Sequence, residues 1–214
     1  MPSRNSLKTY LPDYYYHLYT RGVNKRKIFK DETDCVVFLR YLKLYLSPIE
    51  ELKKMSVKDL RINKFIKNNL SEVIDLTCFA LMPNHIHLLA KLHSARGAEL
   101  LMRRVLTAYA MYFNSKYKRV GHLFQSRYKA VVVLNDEYLT YLTRYIHRNP
   151  LKLAEPNFFL KFTSYPYYLK KQYASWIKPE EILTYFSSNN PSLSYRSFVE
   201  EKANEFDLSE LTLE

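Results

Sequence analysis

The run Leu76-Thr77-Cys78-Phe79-Ala80-Leu81-Met82-Pro83-Asn84-His85-Ile86-His87-Leu88-Leu89-Ala90 constrains the fold more than any other part of this chain. It is almost wholly apolar and is interrupted only at Pro83-Asn84. It therefore predicts a strand from Val73 to Leu81, a Met-Pro-Asn connection and a strand from His85 to Lys91, paired as an antiparallel hairpin. His85 and His87 then stand on a central strand. Two residues apart, they project from one face, roughly 7 Å apart along the backbone. Such a pair suits two metal ligands, and it suits a buried, hydrogen-bonded pair equally well.

The flanking sequence surrounds this hairpin with further strand and helix. Tyr14-Tyr15-Tyr16-His17-Leu18-Tyr19-Thr20-Arg21-Gly22 is aromatic, β-favouring and closed by glycine, which predicts a first strand and turn. Asp31 and Thr33 both offer N-caps to a helical pattern from Cys35 to Leu46. Residues 47–70, rich in lysine and asparagine, read as a surface insertion with some helix of its own. Glu99 to Phe113 has apolar spacing of period 3.6 without proline or glycine and predicts a helix. Ala130-Val131-Val132-Val133-Leu134 predicts a strand, followed by a helix capped by Asn135 or Asp136 and running to Arg148. Pro150 disfavours α geometry at Asn149 and puts it at the helix end. Beyond, short helices are expected over Pro179 to Phe186 and from Tyr195 to about Asn204. The division is a domain over 1–155 and a C-terminal extension over 156–214.

Charge narrows the partners. Thirty-three basic against twenty-one acidic side chains leave a formal charge of +12, which favours a polyanion, nucleic acid before an anionic membrane surface. Twenty tyrosines and twelve phenylalanines are partly interleaved with cations, as in Lys116-Tyr117-Lys118-Arg119 and Arg127-Tyr128-Lys129. Rings that stack on unpaired bases beside cations that hold phosphates are the pattern of single-strand binders, although most such rings in any fold are core. The two cysteines lack CxxC spacing, no apolar run reaches membrane-spanning length and the N-terminus has no apolar signal region, so a cytoplasmic, membrane-free protein is expected. Three scattered glycines exclude a P-loop or dinucleotide fingerprint, and neither GxSxG nor HExxH occurs. Asp75 is expected to face solvent rather than to ligate a metal. His17, His93, His122 and His147 are read as surface, core or DNA-contacting.

The chemistry rests on a second segment, Arg144-Tyr145-Ile146-His147-Arg148-Asn149-Pro150. Tyr145 and Asn149, at i and i+4, share a helix face one turn apart, so an amide oxygen could complete a metal site while the phenol points at what the metal activates. Imidazole and carbonyl ligands together leave a divalent ion's charge available to a phosphate, which fits Mg²⁺ or Mn²⁺, with imidazole tilting toward Mn²⁺. A phenol of pKa near 10 is only about one part in a thousand ionised at neutral pH, a cost of about 4 kcal/mol that a polarised site lowers. Its attack on phosphorus would yield a phosphotyrosine. The bland alternatives are a core aromatic, since Tyr138, Tyr141 and Tyr145 keep helical spacing, and a pre-proline helix end.

Four segments together resemble the single-tyrosine transposases of the IS200-like superfamily, in particular the REP-associated branch: Thr20-Arg21-Gly22-Val23-Asn24 with Ile28-Phe29; Leu81 to Leu89; Gly121-His122-Leu123-Phe124-Gln125-Ser126-Arg127-Tyr128-Lys129; and Tyr145 to Pro150. The resemblance implies an α+β, ferredoxin-like HUH endonuclease fold, a central antiparallel sheet with helices packed on it. It implies Mg²⁺ or Mn²⁺ held by His85, His87 and Asn149, a Tyr145 nucleophile forming a 5′-phosphotyrosine, and single-stranded DNA with hairpins as substrate. The protein would act as a monomer or as a homodimer with a shared site. Arg21, Asn24, Arg103, Arg104, Arg127 and Lys129 are the candidate DNA contacts, on charge and motif position. Phe124 stands where the family often has tryptophan, and Leu151 to Glu155 lacks the usual glycine. The alternative from a different class is a DNA-hairpin-binding protein that does not cleave.

Overall fold

Alternating side chains of the first strand, β1 (Tyr15–Arg21), are buried on both faces: its first six residues are all buried, as expected of a strand covered on two sides. The computed structural model describes residues 10–154 and 156–201. After β1 come helix α1 (Glu32–Leu46), α2 (Ile49–Ser56) and α3 (Asn63–Ile66), the hairpin β2 (Ile74–Met82) and β3 (His85–Leu92), the long α4 (Gly97–Lys116), β4 (Lys129–Val133) and α5 (Asp136–Arg148). Short helices α6 (Pro156–Leu160), α7 (Tyr165–Tyr168), α8 (Glu180–Leu183) and α9 (Tyr195–Glu200) follow. The predicted extension of the last helix to Asn204, the division at residue 155 and the first nine residues lie outside the described residues.

The four strands form one antiparallel sheet in the order β2-β3-β1-β4, so the His-x-His strand is central. On one face, α1 and α4 bury Leu18, Leu76, Phe79, Leu81, Ile86 and Leu88. This βαββαβ arrangement with two helices on one side is the ferredoxin-like pattern. The second face carries Tyr15, Cys78, Ala80 and Leu89 and is covered by α5 and the C-terminal elements through Leu139, Leu142, Ile146, Tyr195 and Val199. The ladder slips at Thr77, between Leu76 and Cys78, so a bulge interrupts the simple alternation that pairs Asp75 with Thr77. Asp75 contacts His93 at 2.7 Å and lies opposite Lys91, at the far end of the hairpin from His85.

Local chemistry explains the helix starts. Asp31, not Thr33, caps α1 by accepting from the Asp34 N–H, and Asn135, not Asp136, caps α5 by accepting from Tyr138. The insertion builds its own small cluster of Leu52, Ile62 and Phe65 against Leu44 of α1. The C-terminal segment does more than lie on the domain. Phe162 to Ser164 runs antiparallel along β2, with Leu81 N–H donating to the Phe162 carbonyl at 3.0 Å and Ser164 N–H to Phe79 at 2.9 Å. That covers what would be an open sheet edge. Trp176 stacks on Phe79 at 5.7 Å within the main core.

The hairpin turn is held from outside. The Pro83 carbonyl accepts the N–H groups of both Ile28 and Phe29, and Gly22 N–H donates to Asn84. A Cβ on Gly22 would run into the Arg26 carbonyl oxygen, so glycine is needed for this close approach. The start of β3 is thereby pinned against the end of β1.

Candidate active site

Strand register decides which side chains meet. His87 lies between Tyr19 and Ala80 and His85 between Arg21 and Met82, while Lys129 lies opposite Tyr19. These residues share the face that α5 covers. The His85 and His87 rings approach edge to face, centroids 4.8 Å apart at 88°. Tyr145 descends from α5 and sets its ring edge-on to His87, 5.7 Å between centroids at 85°. The two segments, far apart in sequence, are thus in ring contact within one chain.

Each histidine is oriented through Nδ1. His85 Nδ1 lies 2.6 Å from the Asn84 side-chain oxygen, an acceptor, which puts the proton on Nδ1 and leaves the Nε2 lone pair for a ligand. His87 Nδ1 lies 2.8 Å from Nε2 of His17 on β1, and His87 Nε2 is buried without a hydrogen-bond partner. Burial, reinforced by the charge of Arg21, lowers His85 to about 4. Burial and the neighbouring His85 and His17 hold His87 well below the usual histidine range. Both rings are therefore neutral at pH 7, the state a metal ion requires.

Asn149 departs from the expectation drawn from Pro150. It is α-helical, at φ −49° and ψ −45°, donates its backbone N–H to the Tyr145 carbonyl and opens a 3-10 turn over Asn149–Lys152. The pre-proline preference is a steric bias that one helix bond and burial override. The Asn149 side chain is buried and its amide nitrogen has no partner. Since a half-turn of the amide exchanges nitrogen for oxygen, that site can present a ligand oxygen. Among the described residues no group of three or more His, Cys, Asp or Glu is disposed to hold a metal ion. A set of two imidazoles and an amide is compatible with that, and both orphaned atoms suit it.

The protein-family model described as "Transposase IS200 like" matches residues 10–149. The chain belongs to the IS200-like transposase family. No curated protein sequence matches this transposase-family chain. Among solved structures it resembles a REP-associated tyrosine transposase bound to a REP hairpin, with a TM-score of 0.50 and 12% identity, covering 95% of this chain and 100% of that one. The fold is shared: a four-stranded antiparallel sheet with helices packed on it.

The candidate DNA contacts separate in space. Arg21, half-buried, donates to Gln125 at 3.1 Å, and Lys129 reaches over the Tyr19 ring at 6.0 Å; both lie on the site's face. Asn24 and Arg127 are exposed on neighbouring turns. Arg103 and Arg104 ride on α4, across the sheet, where Arg104 donates to the Asn68 carbonyl at 2.6 Å and ties down the insertion. Three residues escaped the sequence reading. Asn84 is adjacent to His85 and was legible as its partner, Lys152 stands 6.0 Å from the Tyr145 ring centroid, and His17 needed strand pairing to be found. Among the described residues no helix is long and apolar enough to cross a membrane.

Proposed function

We propose that this transposase-family chain cuts and rejoins single-stranded DNA at hairpins through a 5′-phosphotyrosine on Tyr145. The observation that carries the reading is the edge-on contact of Tyr145 with His87, whose neutral Nε2 is buried and unpaired. His85, His87 and the Asn149 amide oxygen would hold Mg²⁺ or Mn²⁺, which when bound supplies positive charge to the scissile phosphate. Arg21 and Lys129 flank the same face and would receive the DNA backbone.

In the cutting step the Tyr145 oxygen forms a bond to phosphorus and the bond from phosphorus to the 3′ oxygen breaks. The phenolic proton is lost and the departing strand end gains one, leaving a 3′-OH. The phosphodiester count is unchanged, so a second 3′-OH can later displace the tyrosine without ATP. The contact of Tyr145 with His87 of its own chain supports a reading in which one chain carries both the nucleophile and the metal ligands. Two buried free cysteines accord with a reducing, cytoplasmic setting.

Incubating the protein and Tyr145→Phe with labelled single-stranded hairpins, with Mg²⁺ or with EDTA, tests this. The expected result is a covalent DNA–protein adduct on a denaturing gel that needs both the metal and Tyr145. Hairpin binding without any adduct across a wide panel would instead favour a binding protein that kept the fold.

A further inference from the structure

His17 takes no part in the chemistry above, yet its ring is fully buried beside the site. It lies on β1 opposite Leu89, diagonal to His87 on the same face. The His17 and His87 ring planes lie within 19° of each other with centroids 5.0 Å apart, and the Tyr19 ring packs against both, 4.8 Å from His17 and 6.2 Å from His87. The contact between His17 Nε2 and His87 Nδ1 is 2.8 Å. At that distance one proton lies between two neutral rings, so their tautomers are coupled.

Two arrangements exist. If His87 donates from Nδ1, its Nε2 lone pair is open to the site and the second proton of the pair sits on His17 Nδ1. If His17 donates from Nε2, His87 carries its proton on Nε2 and has no lone pair to offer there. Both outer nitrogens, His17 Nδ1 and His87 Nε2, are buried without hydrogen-bond partners among the described residues. Each arrangement therefore leaves one donor and one acceptor unmet, and hydrogen bonding alone does not separate them. A cation on His87 Nε2 satisfies the orphaned lone pair of the first and is incompatible with the second.

We propose that His17 is a positioning residue that holds His87 in its Nδ1–H tautomer and turns the Nε2 lone pair toward a divalent cation. The inference rests on the metal-dependent reading of the site. It assigns His17 the outer-shell part that a carboxylate or backbone carbonyl plays for many metal-bound histidines.

Mn²⁺ titrated calorimetrically into the full chain, and into His87→Ala, His17→Phe and His17→Gln, separates the possibilities. Loss of the acceptor in His17→Phe should weaken Mn²⁺ binding about 10- to 100-fold, while His17→Gln, whose amide oxygen can accept from His87 Nδ1, should return to within about threefold of the parent. Equal affinity of His17→Phe and the parent overturns the inference, as does a Gln variant as weak as the Phe one. If the parent and His87→Ala bind Mn²⁺ alike, the metal reading itself fails. Should the Phe variant not fold by circular dichroism, the ring-nitrogen ¹⁵N spectrum of the parent with Mg²⁺ decides. A His87 protonated on Nδ1 supports the assignment, and one protonated on Nε2 overturns it.

Discussion

At Asn149 a single buried residue carries a cost to the fold. Its amide nitrogen is buried and unpartnered, and leaving such a group unmet costs about 1–3 kcal/mol. Truncation in Asn149→Ala should therefore change stability in EDTA by less than about 1 kcal/mol, the cavity offsetting the relieved amide, while adduct formation with Mg²⁺ collapses. A denaturation curve in EDTA showing a loss of several kcal/mol would mean that the amide is satisfied structurally and is not a ligand. The buried histidines make a second statement at this scale. Burial lowers His17 and His147 to about 3 and His85 to about 4, whereas in the unfolded chain they titrate near 6.5. Below that pH the unfolded state binds more protons than the folded one. Stability is thus full above about pH 6.5 and falls as pH drops, by up to about 1.4 kcal/mol per unit for each such histidine. Urea midpoints at pH 7.5 and 5.5 check this, and equal midpoints would contradict the burial of these rings.

Among the elements, α5 carries the most. One stripe bears Tyr145 toward the sheet, and another bears Arg144 and Arg148, which hold the last carbonyls of α9. Arg148 donates to Val199 at 3.0 Å and Glu201 at 2.6 Å, and Arg144 also bonds Glu201. Cations at a helix C-terminus meet both the orphaned carbonyls and the dipole. Inside, His147 joins Cys78 of β2, Ser164 and Tyr195 of α9, which locks the tyrosine helix between the sheet and the C-terminal elements. Arg148→Ala should release α9, costing about 1–2 kcal/mol locally. Amide exchange would then quicken at 195–200 while β1 and β3 stay protected. Unchanged exchange there would mean that apolar packing alone seats α9.

Across the whole molecule, the formal charge is +12, and the sheet separates the candidate DNA contacts on β1 and β4 from those on α4. DNA bound on the α5 side would meet Arg21 and Lys129, whereas Arg103 and Arg104 stand on α4, across the sheet. Hairpin affinity should fall with salt, each phosphate contact in single strands adding about 0.7 to the log–log slope. Arg21→Ala and Lys129→Ala should each flatten that slope by about one contact, and Arg103→Ala should leave it unchanged. A flatter slope for Arg103→Ala would place DNA on the α4 side. Much of this molecule was legible in one dimension. The apolar hairpin, the α4 pattern, the pair of candidate caps at each of two helix starts and the His85, His87 and Tyr145 candidates all follow from periodicity, turn chemistry and motif, because each is written within a few adjacent residues. Those signals say which face a side chain takes, but not which strand lies beside it. The bond between His17 and His87, the antiparallel run of Phe162 to Ser164 along β2, the helical Asn149 before proline and the diversion of Arg104 to the insertion arise from residues far apart in the chain. Only the tertiary structure decided them, because each depends on strand register and burial that no local pattern encodes.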